Sequence, residues 1–250
     1  MNRFPTIGII PARYASTRFP GKPLVDILGK TMICRVYEQA SASKLDKVYV
    51  ATDDHRIADE MIAHGAEVIM TSPDHPSGTD RCAEVIAKLG EEIDERSVII
   101  NIQGDEPFID PDQIDLLVSC FEKPDVNIAT LVRKFSNSED ILNPNTIKVV
   151  KAVDDFALYF SRSTVPFERD GNAGNPSPEN YFQHIGLYGY RAGTLATLAT
   201  LAPSKLELAE KLEQLRWLEN GYKIMTALSD HESWSVDSPE DLEKMLRRFS

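Results

Sequence analysis

The 250-residue sequence predicts an α/β fold, a mostly parallel sheet with helices on both faces. Strand-like and helix-like segments alternate through the first half, the pattern of repeated βαβ units. The run at 97–102 is apolar and rich in β-branched residues, as a central strand covered on both faces should be. Composition agrees: 42% hydrophobic and 26% charged residues are ordinary for a globular chain long enough to bury a sizeable core.

Taken in order, residues 7–10 read as a short buried strand. A helix follows at 31–42, with Ile33, Val36 and Tyr37 at i, i+3, i+4 spacing. Then come a strand at 48–51, a helix at 56–64, a strand at 67–70, a helix at 81–89 and the central strand at 97–102. The pattern changes afterwards. Segments 147–153 and 156–160 flank Asp154-Asp155 as an antiparallel hairpin, and 185–190 is another strand. The stretch 169–179 is rich in Gly, Asn and Pro and reads as a surface loop. Ser204 with Glu207 has capping-box spacing before Leu208, Leu212, Leu215 and Leu218. Ser238-Pro239-Glu240-Asp241 supplies a cap, a first-turn proline and two acids. Neither linker nor repeat is evident, so residues 1–250 are expected to form one Rossmann-like domain with a smaller β-rich insertion at roughly 134–195.

A net charge of −12 argues against nucleic acid as a partner, because a phosphate backbone demands a basic surface. It also makes any local basic cluster informative. No apolar run approaches the roughly 18–20 residues of a membrane span. The N-terminus enters the first strand without a signal-peptide pattern, so a cytoplasmic location is expected. Cys34, Cys82 and Cys120 form no C-x-x-C pair and read as reduced core thiols.

The most informative segment follows the first strand. Within Pro11-Ala12-Arg13-Tyr14-Ala15-Ser16-Thr17-Arg18-Phe19-Pro20-Gly21-Lys22-Pro23-Leu24, three cations (Arg13, Arg18, Lys22) are interleaved with small hydroxyl residues and a glycine. Backbone N–H groups, from Ala12 onward, and charged donors can converge there on a polyphosphate. The loop is not a Walker A motif, which would require Gly at Ser16 and Ser or Thr at Pro23. Gln103-Gly104-Asp105-Glu106-Pro107 lies beyond the central strand, where open α/β sheets bind ligands. Asp105 there suits Mg²⁺ held by one or two carboxylates plus substrate phosphates. Asp237, just outside a helix cap, is by spacing alone as much a structural residue as a second metal ligand. Ser77 and Gly78 permit close backbone approach and Arg81 can donate to a flat acceptor, although the segment also reads as a plain helix cap. Arg162, at the end of the 156–160 strand, is the best cation for an acidic substrate's carboxylate.

These segments together resemble the CMP-Kdo synthetase (3-deoxy-manno-octulosonate cytidylyltransferase) family. The likeness runs through PARYASTRFPGKPL at 11–24, VATDD at 50–54, DHPSGTDR at 74–81 and NIQGDEP at 101–107. It continues through NPNTIKVV at 143–150, ALYFSRSTVPFERD at 157–170, HIGLYGYR at 184–191, LEQLR at 212–216 and VDSPEDLE at 236–243. The resemblance implies a nucleotide-diphospho-sugar transferase type of fold and a Mg²⁺-dependent reaction in which CTP and Kdo give CMP-Kdo and diphosphate for lipopolysaccharide biosynthesis. It implies that Asp237 joins Asp105 at the metal and that Ser77, Gly78 and Arg81 contact cytidine. Only the resemblance makes Gln103, His184, Tyr188, Glu213 and Gln214 sugar-binding residues, and it alone suggests a homodimer. Phe19 and Phe167 depart from the family's usual leucine and tryptophan. The alternatives are a CMP-sialate synthetase, whose loop would carry G-S-K-G, another sugar nucleotidyltransferase, or a catalytically inactive nucleotide-binding protein.

Overall fold

Ile7 and Ile9 of the first strand enter one apolar cluster and Ile10 the other, the two-residue alternation of a strand buried on both faces. Around it the computed structural model, which describes residues 4–15, 19–172 and 174–249, builds three layers, helix, sheet and helix. The elements are β1 (Thr6–Ala12), β2 (Asp26–Ile27), β3 (Lys30–Thr31), α1 (Met32–Ala42), β4 (Lys47–Thr52), α2 (His55–Ala63) and β5 (Glu67–Met70). They continue with α3 (Gly78–Leu89), β6 (Val98–Asn101), α4 (Pro111–Ser119), β7 (Ile128–Lys134), α5 (Ser138–Leu142), β8 (Lys148–Lys151) and β9 (Ala157–Ser161). The last are β10 (Phe182–Arg191), α6 (Ala192–Leu198), α7 (Lys205–Glu210), α8 (Gln214–Glu219), β11 (Met225–Leu228) and α9 (Pro239–Phe249).

The main sheet runs β11-β7-β10-β6-β1-β4-β5, and β8 joins β10 while β9 joins β8. Pairings β5/β4, β4/β1, β1/β6 and β7/β11 are parallel, whereas β10 is antiparallel to both β6 and β7. Chain order grows outward from β1 through β4 to β5, then returns to β6 on the other side of β1. The carboxyl ends of β1 and β6 therefore flank a topological switch point, where α/β sheets open a crevice. Helices α1, α2 and α4 cover one face, and α3, α6 and α8 the other.

Local sequence explains the element ends. Ser77 Oγ accepts from Asp80 N at 3.2 Å, so α3 starts at Gly78 and not at the expected residue 81; a short polar side chain satisfying a free N–H sets the helix start. The capping boxes at Ser204/Glu207 and at Asp110/Gln113 both form. One helix does not run from 205 to 218: Lys211 takes a left-handed φ of 54° and splits it into α7 and α8. Leu208 is left 54% exposed while Leu212 and Leu215 stay buried, so the apolar spacing spans two helices. The hairpin around Asp154-Asp155 is present, with its first strand shorter than expected and its second shifted by one residue, and Lys151 pairs with Asp155 across it.

Strand β10 carries a bulge. Its register against β7 shifts between Ile185 and Tyr188, and Thr130 Oγ donates to the Leu187 carbonyl at 2.8 Å, satisfying a backbone group that the ladder leaves out. The same hydroxyl lies 3.1 Å from His184 Nε2. The His184 ring stands between Phe160 and Tyr188, with centroids 5.2 and 5.3 Å away, and Trp217 caps Tyr188 and Tyr190 edge-on. His184 keeps some exposed surface as a residue, but the ring is what carries the charge, and burial pushes its pKa down to about 3.

Because the unfolded chain's histidine titrates near 6.5, the native state binds fewer protons between that value and about 3. Its contribution to stability is present above pH 6.5 and fades as pH falls. Thermal or urea unfolding should show about 1–2 kcal/mol less acid destabilisation between pH 6.5 and 4.5 in His184→Gln than in the parent, after allowing for partial solvent access. Parallel pH profiles for the two proteins would remove this role.

Candidate active site

Three segments distant in sequence meet at the switch point. The first leaves β1 and folds back on itself: Gly21 N donates to the Tyr14 carbonyl at 3.0 Å and Leu24 N to the Gly21 carbonyl at 2.9 Å. Gly21 sits at φ 72°, a left-handed conformation that glycine adopts without steric cost. Lys22 consequently starts a one-turn 3-10 helix with its side chain turned toward the loop after β6. That loop carries Gly104, whose position leaves no room for a side chain: an added Cβ would lie 2.9 Å from the Pro11 carbonyl oxygen. Backbone so close cannot yield cheaply, and Asp105 is thereby held against the end of β1.

The third segment connects β11 to α9. Val236 N donates to the Asp105 carbonyl at 2.9 Å. Val236 and Met245 pack with Ile27 of β2 and Met32 of α1 in a separate apolar cluster, joined by Phe19, Phe108 and Trp234. This anchoring delivers Asp237. The Lys22 ammonium lies 2.8 Å from Asp105 Oδ2 and 3.4 Å from Asp237 Oδ1. The chain has thus brought two carboxylates and one cation to a single point, the arrangement expected of a site built for a cation and an anion together.

Around that point lies a cavity of about 360 Å³ lined by Ala12, Arg13, Lys22, Ser77, Gly78, Arg81, Gln103, Asp105 and Asp237, together with Pro11, Pro23, His75 and Pro76. Arg13 is exposed at its rim. Ser16 and Arg18 lie outside the described residues. Arg81 is only 3% exposed. Its guanidinium donates to the Thr71 hydroxyl and pairs with Asp53 at 3.3 Å, so it ties the ends of β4 and β5 while contributing one face of the cavity. His75 is held by Glu84; Glu84 also pairs with Lys88 at 2.8 Å and accepts from Ser72 N. Burial opposes ionisation of Glu84, but these donors together hold its pKa at about 2.

The residues expected around a sugar divide. Gln103 lines the cavity. Glu213 accepts from Ser77 Oγ at 3.1 Å and from Thr79 Oγ1 at 2.8 Å, so α8 adjoins the start of α3; burial pushes its carboxyl up. Gln214 Nε2, Tyr188 OH and Asn101 Oδ1 are buried without hydrogen-bond partners among the described residues. Tyr188 stands opposite Asn101 in the β10/β6 ladder, and Asn101 approaches Gly78. Buried polar atoms left unpaired are costly, and of these three Asn101 is the one that adjoins a cavity-lining residue, Gly78. His184 lies behind Tyr188. Arg162 stands apart from the cavity lining: its Nε donates to the Glu210 carbonyl at 2.6 Å and Nη1 to the Pro144 carbonyl at 3.1 Å.

Several participants were not legible beforehand. Asn101, His75 and the prolines at 11 and 23 have no motif chemistry, although His75 sits in the polar run before α3. Lys148 is fully buried, donating to the carbonyls of Asn143, Thr146 and Arg162, and burial pushes its pKa down; it stitches the Arg162 turn to β8. Glu106 is 6% exposed, and burial with Asp105 nearby pushes its pKa up to about 7. Asp110, Asp112 and His231 bring ligand atoms within 4.8 Å of one another. Asp110, however, caps α4 through Asp112 N and pairs with His231, which accounts for the group.

A family model described as cytidylyltransferase matches residues 7–224. The chain is 54% identical to the 3-deoxy-manno-octulosonate cytidylyltransferase of Parabacteroides distasonis, covering 96% of each chain. It is 53% identical to that of Bacteroides thetaiotaomicron, covering 94% of each. Among solved structures, CMP:2-keto-3-deoxy-manno-octonic acid synthetase complexed with CTP superposes with a TM-score of 0.89 at 40% identity, covering 98% of both chains. A 4-diphosphocytidyl-2C-methyl-D-erythritol synthase, 13% identical with a TM-score of 0.67, shares the fold alone. The chain therefore belongs to the 3-deoxy-manno-octulosonate cytidylyltransferase family.

Proposed function

We propose that this protein transfers a cytidylyl group from CTP to Kdo, and that the cavity at the switch point is where it does so. The observation that carries the assignment is the Lys22 ammonium held at 2.8 and 3.4 Å by Asp105 and Asp237. Two hard carboxylates converging on a cation are a donor set suited to Mg²⁺, so these two residues would hold the metal. Bound there, Mg²⁺ would supply Lewis-acid charge neutralisation for the phosphoryl transfer. Lys22, released from its carboxylates, and Arg13 at the rim then grip the triphosphate and stabilise charge on the leaving group. Arg18 is assigned to the same task.

Ala12, Ser16, Ser77, Gly78 and Arg81 are assigned to the nucleotide. Gly78 packs closely on Pro11, where an added Cβ would meet Pro11 Cγ at 3.2 Å, and without a side chain it leaves the start of α3 open to a ligand. Gln103, Tyr188 and Gln214, with Asn101 beside them, offer hydroxyl-directed partners for the sugar. Glu213 and His184 support that wall, Glu213 through Ser77 and Thr79. Arg162 is retained as a sugar-side residue in a weaker sense, its guanidinium being spent on main-chain carbonyls; its contribution is to shape the turn.

In the reaction the sugar's anomeric C2 hydroxyl oxygen attacks the α-phosphorus of CTP. A P–O bond forms there as the bond to the α–β bridging oxygen breaks. Diphosphate leaves, and the hydroxyl proton passes to solvent. Positioning and charge neutralisation do most of the work in such transfers. The same assignment takes the protein as a cytoplasmic homodimer. Val153 and Leu158, on the β8–β9 hairpin, are exposed and offer apolar surface for a second copy. Light scattering should give twice the 28.0 kDa chain mass; a monomer at working concentration would remove the dimer.

Purified protein with CTP and Mg²⁺ should release diphosphate when Kdo is offered, and not with sialic acid or with neither, and EDTA should abolish release. Lys22→Ala and Asp105→Asn should each lower turnover by ~10²–10³-fold with the fold intact, as expected for loss of one preorganised charge. Release with sialic acid would reassign the substrate. Near-parental turnover in a folded Asp105→Asn variant would overturn the metal assignment.

A further inference from the structure

The segment 229–238 joins β11 to α9 without regular secondary structure, yet it is stitched along its length to the segment that follows β6, to β7 and to α9. Ser229 N donates to the Val132 carbonyl at 2.8 Å, and Gln113 Nε2 lies 3.4 Å from Ser229 Oγ. His231 Nδ1 lies 3.0 Å from Asp110 Oδ2. Glu232 pairs with Arg133 and Arg248, each at 3.5 Å. Ser233 Oγ donates to Glu106 Oε2 at 2.5 Å, and Val236 N donates to the Asp105 carbonyl at 2.9 Å.

The last two contacts differ from the others in what they adjoin. Glu106 is the chain neighbour of Asp105, and Ser233 stands four residues before Asp237. A side-chain bond and a main-chain bond therefore clamp two irregular segments at a fixed register, immediately beside the paired carboxylates. In extended chain a slip of one residue moves a side chain by about 3.3 Å and turns it to the opposite side. Either displacement takes Asp237 out of range of the point it shares with Asp105. Carboxylates that accept hydrogen bonds from flanking groups are a common means of orienting metal ligands, but here the carboxylate of Glu106 is buried and spent on the strap, not on the cation.

We propose that Ser233 and Glu106 form a positioning pair whose hydrogen bond sets Asp237 opposite Asp105 and so determines the site's affinity for a divalent cation. The proposal rests on the assignment of Asp105 and Asp237 as the metal-holding carboxylates. Neither Ser233 nor Glu106 touches the reacting atoms; both act through Asp237.

The test measures Mn²⁺ binding to the protein–CTP complex, without sugar, by water proton relaxation enhancement, with free CTP held constant. Ser233→Ala should raise the Mn²⁺ dissociation constant by about 10-fold, the lower end of the ~10–100-fold effect of losing a group bonded directly to a metal ligand, because Ser233 acts one step further away. Its turnover should recover as Mg²⁺ is raised, with the KM for CTP unchanged. Ser233→Thr, which keeps the hydroxyl, and Glu106→Gln, which keeps an acceptor oxygen, should stay close to the parent. Asp237→Asn serves as the reference. If it weakens Mn²⁺ binding while Ser233→Ala does not, the positioning role is overturned. If Asp237→Asn leaves Mn²⁺ affinity unchanged, the underlying metal assignment fails and takes the positioning pair with it. A Ser233→Ala protein that loses thermal stability while keeping full Mn²⁺ affinity would mark the bond as purely structural.

Discussion

The Lys22 ammonium between the carboxylates of Asp105 and Asp237 is the interaction on which the rest of the site depends. Unit charges ~4 Å apart interact by about 4 kcal/mol at an effective dielectric near 20, and less where solvent screens half-exposed Asp237. Two carboxylates aimed at one point would repel without a cation between them. The ammonium supplies it in the resting protein and leaves a site whose charge balance changes when an anionic nucleotide arrives. A single lysine therefore holds the two carboxylates together in the resting protein.

Each partner in that contact is delivered by a different device. Lys22 comes from a turn made possible by Gly21 at φ 72°. Asp105 is held by a loop that approaches β1 so closely that only glycine fits at 104. Asp237 arrives on a strap anchored by backbone bonding to Asp105 and by the apolar cluster under α9. The sheet order makes these deliveries converge, because β1 and β6 are neighbours whose chain connections leave in opposite directions. Glu213, at the start of α8, bonds Ser77 and Thr79 and so ties that helix to the start of α3 beside the cavity.

Much of this was legible in the sequence, and the reasons are physical. The buried runs of β1 and β6 declare themselves by apolar content, and the groups just beyond such strands are presented to solvent at the sheet's end. Arg13, Lys22 and Asp105 could be singled out on that ground, whereas Gln103 came only from the family resemblance. Asp237 could not be settled by local pattern, because its meaning comes from contact with a residue 215 positions away through a strap with no periodicity. The break at Lys211 was hidden for a related reason. Leucine spacing continues through it, and only the tertiary position of Glu213 and Gln214 requires the turn. Asn101 was read as part of a strand, and Arg162 as a free cation, because the sequence does not reveal which carbonyls are left over for a guanidinium to bind.

The most direct measurement is a structure of the protein with CTP and Mg²⁺ bound. The account predicts a metal ion shared by Asp105 and Asp237, with Lys22 Nζ moved from the carboxylates onto a phosphate oxygen. A metal held elsewhere, such as at Asp110, Asp112 and His231, with Lys22 still bridging its two carboxylates, would contradict it.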